Sequence, residues 1–336
     1  MPYGSKQSCY VQKIRELFQT HRNGYFEFTL PDSVRLEVPF SMLATRDELS
    51  ADGRLSINIT RATEGYSVNC TVSRANGNTL EYLVLTSLPH IYMYYPTSQQ
   101  TANRVIMIRA ANSKLYPVPS SKDAQGVIKF VMQENNNYIL NALGQAEFSD
   151  VSGHWGESEI MGASGLMLVE GYPDGNYQPD SELTRAEFTT MLARLVQHNA
   201  QARPTHRYTP RTFSDISSGD WFYDSVTMTE QMGLLRFITN SSRFRPDQAI
   251  TREEMAYMIA QTQLVLAGVD SVHFQRVSYS DIDEINPDYL SSVRVCTNTG
   301  LLQGSGGRFA PKQTLTRAEA AAVLNRLFNW LSAQIK

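Results

Sequence analysis

The five residues LTRAE at 183–187 return as ITREE at 250–254 and again as LTRAE at 315–319. In each copy a threonine (Thr184, Thr251, Thr316) stands three residues before a glutamate (Glu187, Glu254, Glu319). This is the pattern of a capping box, in which each side chain accepts from the other residue's backbone N–H and two orphan donors are satisfied at once. Beyond the first copy, Phe188, Met191, Leu192, Leu195 and Val196 fall at helical spacing; beyond the third, Ala320, Val323, Leu324, Leu327 and Phe328 do the same. Folding therefore explains the threonine and the glutamate. It does not explain the arginine between them, because Arg185, Arg252 and Arg317 begin a helix, where positive charge is unfavourable by roughly 0.3–1 kcal/mol. Two readings stay open: an ion pair with a carboxylate of a neighbouring repeat, for example in the SD[VI] segment, or an anion site beside free backbone donors that grips a carboxylate or phosphate bidentately.

Working outward, FSDV at 148–151, FSDI at 213–216 and YSDI at 279–282 open three units; Asp150 and Asp215 are 65 positions apart, Asp215 and Asp281 66. Each unit closes on an aromatic residue (Tyr177, Phe244, Phe309), a proline two later (Pro179, Pro246, Pro311) and the arginine six after that. Repetition at fixed offsets marks a repeat architecture. Each unit reads as helix, loop, helix, over 147–200, 212–268 and 278–332, with polar linkers such as 197–212 between them.

Upstream the texture is β. After an N-terminal segment, 1–23, the stretches VRLEV (34–38), LSINI (55–59) and YSVNCTV (66–72) alternate, and Asn76-Gly77 stands where a hairpin turn wants positive φ. HIYMYY (90–95), RVIMI (104–108) and GVIKFVM (126–132) are of strand length. Residues 24–146 are thus expected to form an all-β, sandwich-like domain, and the whole chain a multidomain α+β protein.

At 336 residues the chain is long enough for two or three domains, and a net charge of -3 gives no general attraction to nucleic acid. No run of eighteen apolar residues is present, so no membrane span is expected. Cys9, Cys70 and Cys296 lack metal-ligand spacing, and HExxH, GxSxG and P-loop motifs are absent, so neither metal, cofactor nor catalytic residues are expected and the reading is of a non-enzyme.

With its tripled F/Y-x-P-x-x-x-L/I-T-R-x-E, its F-S-D-V/I openings, and HWGESEI and VEGYPDGNYQP in the first unit, residues 148–330 resemble the S-layer homology family. The resemblance implies a mainly α, pseudo-threefold arrangement in which one helix per repeat joins a central three-helix bundle and grooves open between repeats. It implies noncovalent anchoring to the bacterial cell wall through a pyruvylated secondary wall polymer attached to peptidoglycan. By position, the ligand residues would be Arg185, Arg252 and Arg317, the tryptophans Trp155 and Trp221, the loop glycines Gly171 and Gly304, and the opening aspartates Asp150, Asp215 and Asp281. A sugar face would stack on an aromatic ring while arginine meets the carboxylate. The β-region is similar to the β-sandwich segment that often precedes such repeats and would be a spacer or interaction domain. Because proteins of this family are exported and the chain opens without a signal sequence, it is expected to be the C-terminal portion of a longer surface protein, or a fragment of one.

The match is uneven. Gly171 stands sixteen positions after Trp155, but Phe237 stands sixteen after Trp221, where its side chain would obstruct a sugar, and the third repeat offers only Tyr289 near the tryptophan position. The first repeat alone has every element, so the three grooves are not expected to bind equally. Two other readings remain: a lattice or assembly protein whose β-domain associates through strand edges, and the anchor of a larger exported enzyme.

Overall fold

The computed structural model describes residues 4–29, 33–41, 53–62, 65–76, 79–84, 92–95, 104–111, 113–132, 137–144, 146–197, 210–238, 242–267 and 274–335. The chain divides into two compact units, Met1–Leu143 and Gly144–Gln334.

The first unit contains two antiparallel sheets. One runs in the order β1 (Gly4–Tyr10), β4 (Arg54–Ala62), β5 (Gly65–Asn76), β12 (Asn137–Ala142), β8 (Arg104–Arg109), β9 (Leu115–Val118), with β6 (Thr79–Val84) also paired to β5. The other runs β10 (Ser120–Lys122), β11 (Ile128–Val131), β7 (Tyr92–Tyr95), β3 (Arg35–Pro39), β2 (Tyr25–Thr29). Alternation decides which face is buried. In β3, Leu36 and Val38 are in the core while Arg35 and Glu37 are partly exposed. The sheets share one core: the rings of Tyr66 and Tyr95 lie 5.9 Å apart, those of Phe130 and Tyr138 5.2 Å, and Tyr95 Oη donates to the Tyr138 carbonyl. Residues 4–20 join this unit too, since β1 pairs along β4 and helix α1 (Val11–Thr20) sets Ile14 in the same core. Asn76 pairs with Thr79 across a two-residue connection, and the Gly77 turn itself lies outside the described residues.

The second unit is helical: α2 (Glu157–Gly165) and α3 (Arg185–Val196), α4 (Tyr223–Gln231) and α5 (Arg252–Ala267), α6 (Leu290–Asn298) and α7 (Arg317–Ala333). The expected helix, loop, helix recurs three times. Thr184 with Glu187, and Thr316 with Glu319, form complete capping boxes. At α5 the Thr251 N–H donates to Glu254 at 3.3 Å and the Glu254 N–H to Thr251 Oγ1 at 3.4 Å. The most deeply buried large side chains of this unit include Tyr177, Phe244 and Phe309, one at the same place in each repeat. No helix among the described residues is long and apolar enough to cross a membrane.

Candidate functional site

The three aspartates build the loops. Asp150 accepts the backbone N–H groups of Tyr177 and Gln178 at 2.8 and 2.7 Å, Asp215 those of Phe244 and Arg245 at 2.7 and 2.8 Å, and Asp281 those of Phe309 and Ala310 at 2.9 and 2.8 Å. In each pair the second residue has positive φ (Gln178 58°, Arg245 57°, Ala310 55°), a conformation a non-glycine residue keeps only when its surroundings impose it. Burial works to raise these carboxyl pKa values, but the backbone donors outweigh it and all three lie below the ordinary 3.8. These carboxylates face their own repeat's turn.

That turn feeds the next contact. The Arg185 and Ala186 N–H groups at the start of α3 donate to Gln248 and Pro246 of the second repeat, at 2.8 and 3.0 Å. The Arg252 and Glu253 N–H groups donate to Gln313 and Pro311 of the third, at 3.0 and 3.1 Å, and those of Arg317 and Ala318 to Ser181 and Pro179 of the first, at 3.0 and 2.9 Å. The relation runs from first repeat to second, second to third and third to first. The helix-start donors required by a backbone anion site are therefore occupied by the neighbouring repeat.

The arginine side chains follow the same circuit. Arg185 donates to the Phe244 carbonyl at 2.6 Å and to Glu254 at 2.7 Å. Arg317 donates to the Tyr177 carbonyl at 2.8 Å, the Glu170 carbonyl at 2.9 Å and Glu187 at 3.2 Å. Both arginines are 4% exposed, so their ion pairs are shielded from solvent. Their partner carboxylate is the neighbour's capping glutamate, not an aspartate of the SD segment. Arg252 differs: it donates to the Phe309 and Gln303 carbonyls at 2.9 and 3.0 Å, yet among the described residues no carboxylate lies within ion-pair distance of it. Burial lowers its pKa, with Glu319 acting in the opposite sense.

Three of the expected ligand residues, one from each repeat, line one cavity. A cavity of about 180 Å³ is lined by Gly171, Tyr172 and Glu187 of the first repeat, Trp221 of the second and Arg317 of the third. Trp221 is 66% exposed at its edge, and Arg317 lies under the Tyr172 ring, 4.6 Å from its centroid. Thus Gly171 faces Trp221, not the Trp155 of its own repeat. Gly171 is also required by packing, because a Cβ there would come 2.6 Å from the Phe148 ring and 2.7 Å from the Asn176 carbonyl oxygen. Gly304 is constrained similarly, with the Tyr279 ring 2.6 Å from where its Cβ would be.

At the equivalent position of the second repeat, Phe237, Tyr257 and Tyr289 pack as a triangle with ring centroids 5.7, 6.2 and 5.9 Å apart. Arg185 sits 5.5 Å from the Phe237 ring, and Tyr289 Oη donates to the Phe237 carbonyl. Burial, then Glu254 and Glu253, push the Tyr289 phenol up to about 12. Tyr289 caps α6 as Gly156 and Phe222 cap α2 and α4, so Asp288 occupies the place of Trp155 and Trp221. Gly156, which follows Trp155, lies near Ala318 of the third repeat, whose Cβ would be 3.3 Å from a Cβ at Gly156. Trp155 is 63% exposed.

Sequence reading passed over Arg194, Glu170 and Tyr172, all of which line the cavity. Arg194 left one signal: a charge between Leu192 and Leu195 in the apolar last turns of its helix.

Comparison with known proteins finds a family match within the second unit. The S-layer homology domain model matches residues 147–189, 212–256 and 278–321. The chain is 30% identical over 178 residues to exoglucanase XynX of Acetivibrio thermocellus, covering 53% of this chain and 16% of that protein. It is 30% identical over 178 residues to an amylopullulanase of Thermoanaerobacterium thermosulfurigenes, covering 53% and 9%, and 28% identical over 175 residues to the S-layer protein sap of Bacillus anthracis, covering 52% and 20%. The chain therefore spans a fifth or less of the length of these relatives.

Proposed function

Because residues 147–321 belong to the S-layer homology family, in three repeats, we propose that this part of the chain is a non-catalytic anchor that binds a pyruvylated secondary wall polymer on the cell surface. Domains of this family anchor surface proteins, and the relatives include both S-layer proteins and polysaccharide-degrading enzymes, so anchoring is the property common to both kinds. The observation that carries the finer reading is the cavity beneath Trp221. An exposed indole offers a sugar a stacking face, and the Arg317 guanidinium brings positive charge to the same cavity.

We place the three repeats in a pseudo-threefold arrangement around α3, α5 and α7. The cyclic hydrogen bonds support it, and so do the contacts of α7 with both α3 and α5. Arg252, with no carboxylate partner among the described residues, marks a second groove together with Gly304 and Trp155. The aromatic triangle at Phe237 fills the third. Of the ligand residues proposed from the family pattern, Arg185 and the three aspartates then act by holding the grooves in shape. The first unit is assigned as a spacer or interaction domain, and the whole protein as a surface-layer protein or an anchored exported enzyme.

The test is calorimetric titration of the full chain with purified wall polymer, intact and stripped of its pyruvate. Binding that disappears with the pyruvate and weakens in Trp221→Ala and Arg252→Ala supports the reading. A folded protein that binds neither polymer overturns it and leaves self-assembly as the function.

A further inference from the structure

Within the cavity beneath Trp221 a second arginine is already holding a carboxylate. Arg194, on α3, donates to Glu170 Oε2 at 2.6 Å, and the two side chains are 24% and 69% exposed. Both line the cavity with Trp221 and Arg317. The Glu170 backbone is fixed, because its carbonyl accepts from Arg317 at 2.9 Å, so its side chain can turn away by rotation about its own bonds. This pairing is particular to one repeat. The residues at the place of Glu170 are Arg236 and Gln303, each directly before Phe237 or Gly304, and those nine after Arg252 and Arg317 are Gln261 and Arg326.

We propose that Glu170 is a built-in competitor that occupies Arg194 in the empty cavity, and that the carboxylate of an acidic sugar displaces it. The proposal rests on the reading that this cavity binds such a sugar. An exposed ion pair contributes little to stability, so opening it costs little, whereas an incoming carboxylate can take the planar guanidinium in a two-point grip. Arg194 then reads the acid group while Trp221 reads the ring, and Glu170 lowers the affinity for the acidic sugar alone, because a neutral sugar has no group that must displace it.

The experiment titrates the full chain, Glu170→Gln, Arg194→Gln and Trp221→Ala with two probes: a pyruvate-ketal methyl hexopyranoside and the matching isopropylidene ketal, which keeps the ring but lacks the carboxylate. Glu170→Gln is expected to bind the acidic ketal about threefold to fivefold more tightly, with affinity for the neutral ketal unchanged. Arg194→Gln should weaken the acidic ketal about tenfold and narrow the difference between the probes, with a melting temperature close to wild type. Equal affinity of wild type, Glu170→Gln and Arg194→Gln for the acidic ketal, with binding still lost in Trp221→Ala, overturns the proposal and leaves the cavity as a sugar site. Failure of every protein, Glu170→Gln included, to bind either ketal overturns both.

Discussion

Arg317 reaches Glu187, 130 residues earlier in the chain, at 3.2 Å, and the same glutamate closes the cap of α3 by accepting from Thr184 at 2.9 Å. One carboxylate thus ties the last repeat to the first while it finishes a helix. Removing the arginine takes the cation from that carboxylate, which keeps only its neutral donors Thr184 and Tyr172, and takes a donor from two carbonyls. Breaking a buried pair by removing one partner costs about 3–5 kcal/mol, so Arg317→Met should lower unfolding stability by that amount in urea titration. Arg252→Met, which leaves no paired carboxylate behind, should cost clearly less. Equal losses would show that the ion pair contributes nothing beyond the shared carbonyl contacts.

The aspartate turns set an acid limit. The carboxyls of Asp150, Asp215 and Asp281 lie below 3.8 in the folded chain, so their contribution is present above that value and is lost as pH falls through the depressed folded-state value. Stability of the second unit should therefore decline below about pH 4. Asp281→Asn should be less stable than wild type at neutral pH and lose less on further acidification. Circular dichroism melts between pH 2 and 7 would detect both effects, and an acid slope unaltered by the substitution would place the sensitivity elsewhere.

The aromatic cluster at Phe237 is expected to be structural. Phe237→Ala should destabilise by about 3–5 kcal/mol, since it empties a site enclosed by Tyr257, Tyr289 and the Arg185 guanidinium. Polymer binding at the other grooves should persist, with a stoichiometry of two sites or fewer per chain in calorimetry. A third equivalent bound by the wild-type protein would show that the triangle opens.

The two exposed tryptophans should report ligand. Trp155→Ala and Trp221→Ala should each change stability by less than about 0.5 kcal/mol. Polymer titration should quench wild-type fluorescence, with a smaller change in Trp221→Ala. A full fluorescence change in the double variant would assign the signal to Trp330.

Much of the local structure was legible because its causes are local. The capping threonines and glutamates lie three residues apart, the strand pattern in β3 has a period of two, and the repeats announce themselves by fixed offsets. The tryptophan position of the third repeat was open to the same spacing, since Gly304 stands sixteen after Asp288 as Gly171 does after Trp155, and the cap of α6 at Tyr289 agrees with it. Strand β1 and the buried Ile14 were missed because nothing within 1–23 says that β4 has a free edge to receive them.

The sequence by itself determined that three copies of one helix-loop-helix unit exist, where the second helix of each begins, and which residue types recur. Only the tertiary structure decided what the arginines meet. Each arginine's partners lie in a different repeat, dozens of residues or more away, and local pattern has no term for a contact made by closing a ring. The same circuit of contacts decided that Gly171, Trp221 and Arg317 line one cavity and that Phe237 packs on Tyr257 and Tyr289, because each cluster draws its side chains from more than one repeat.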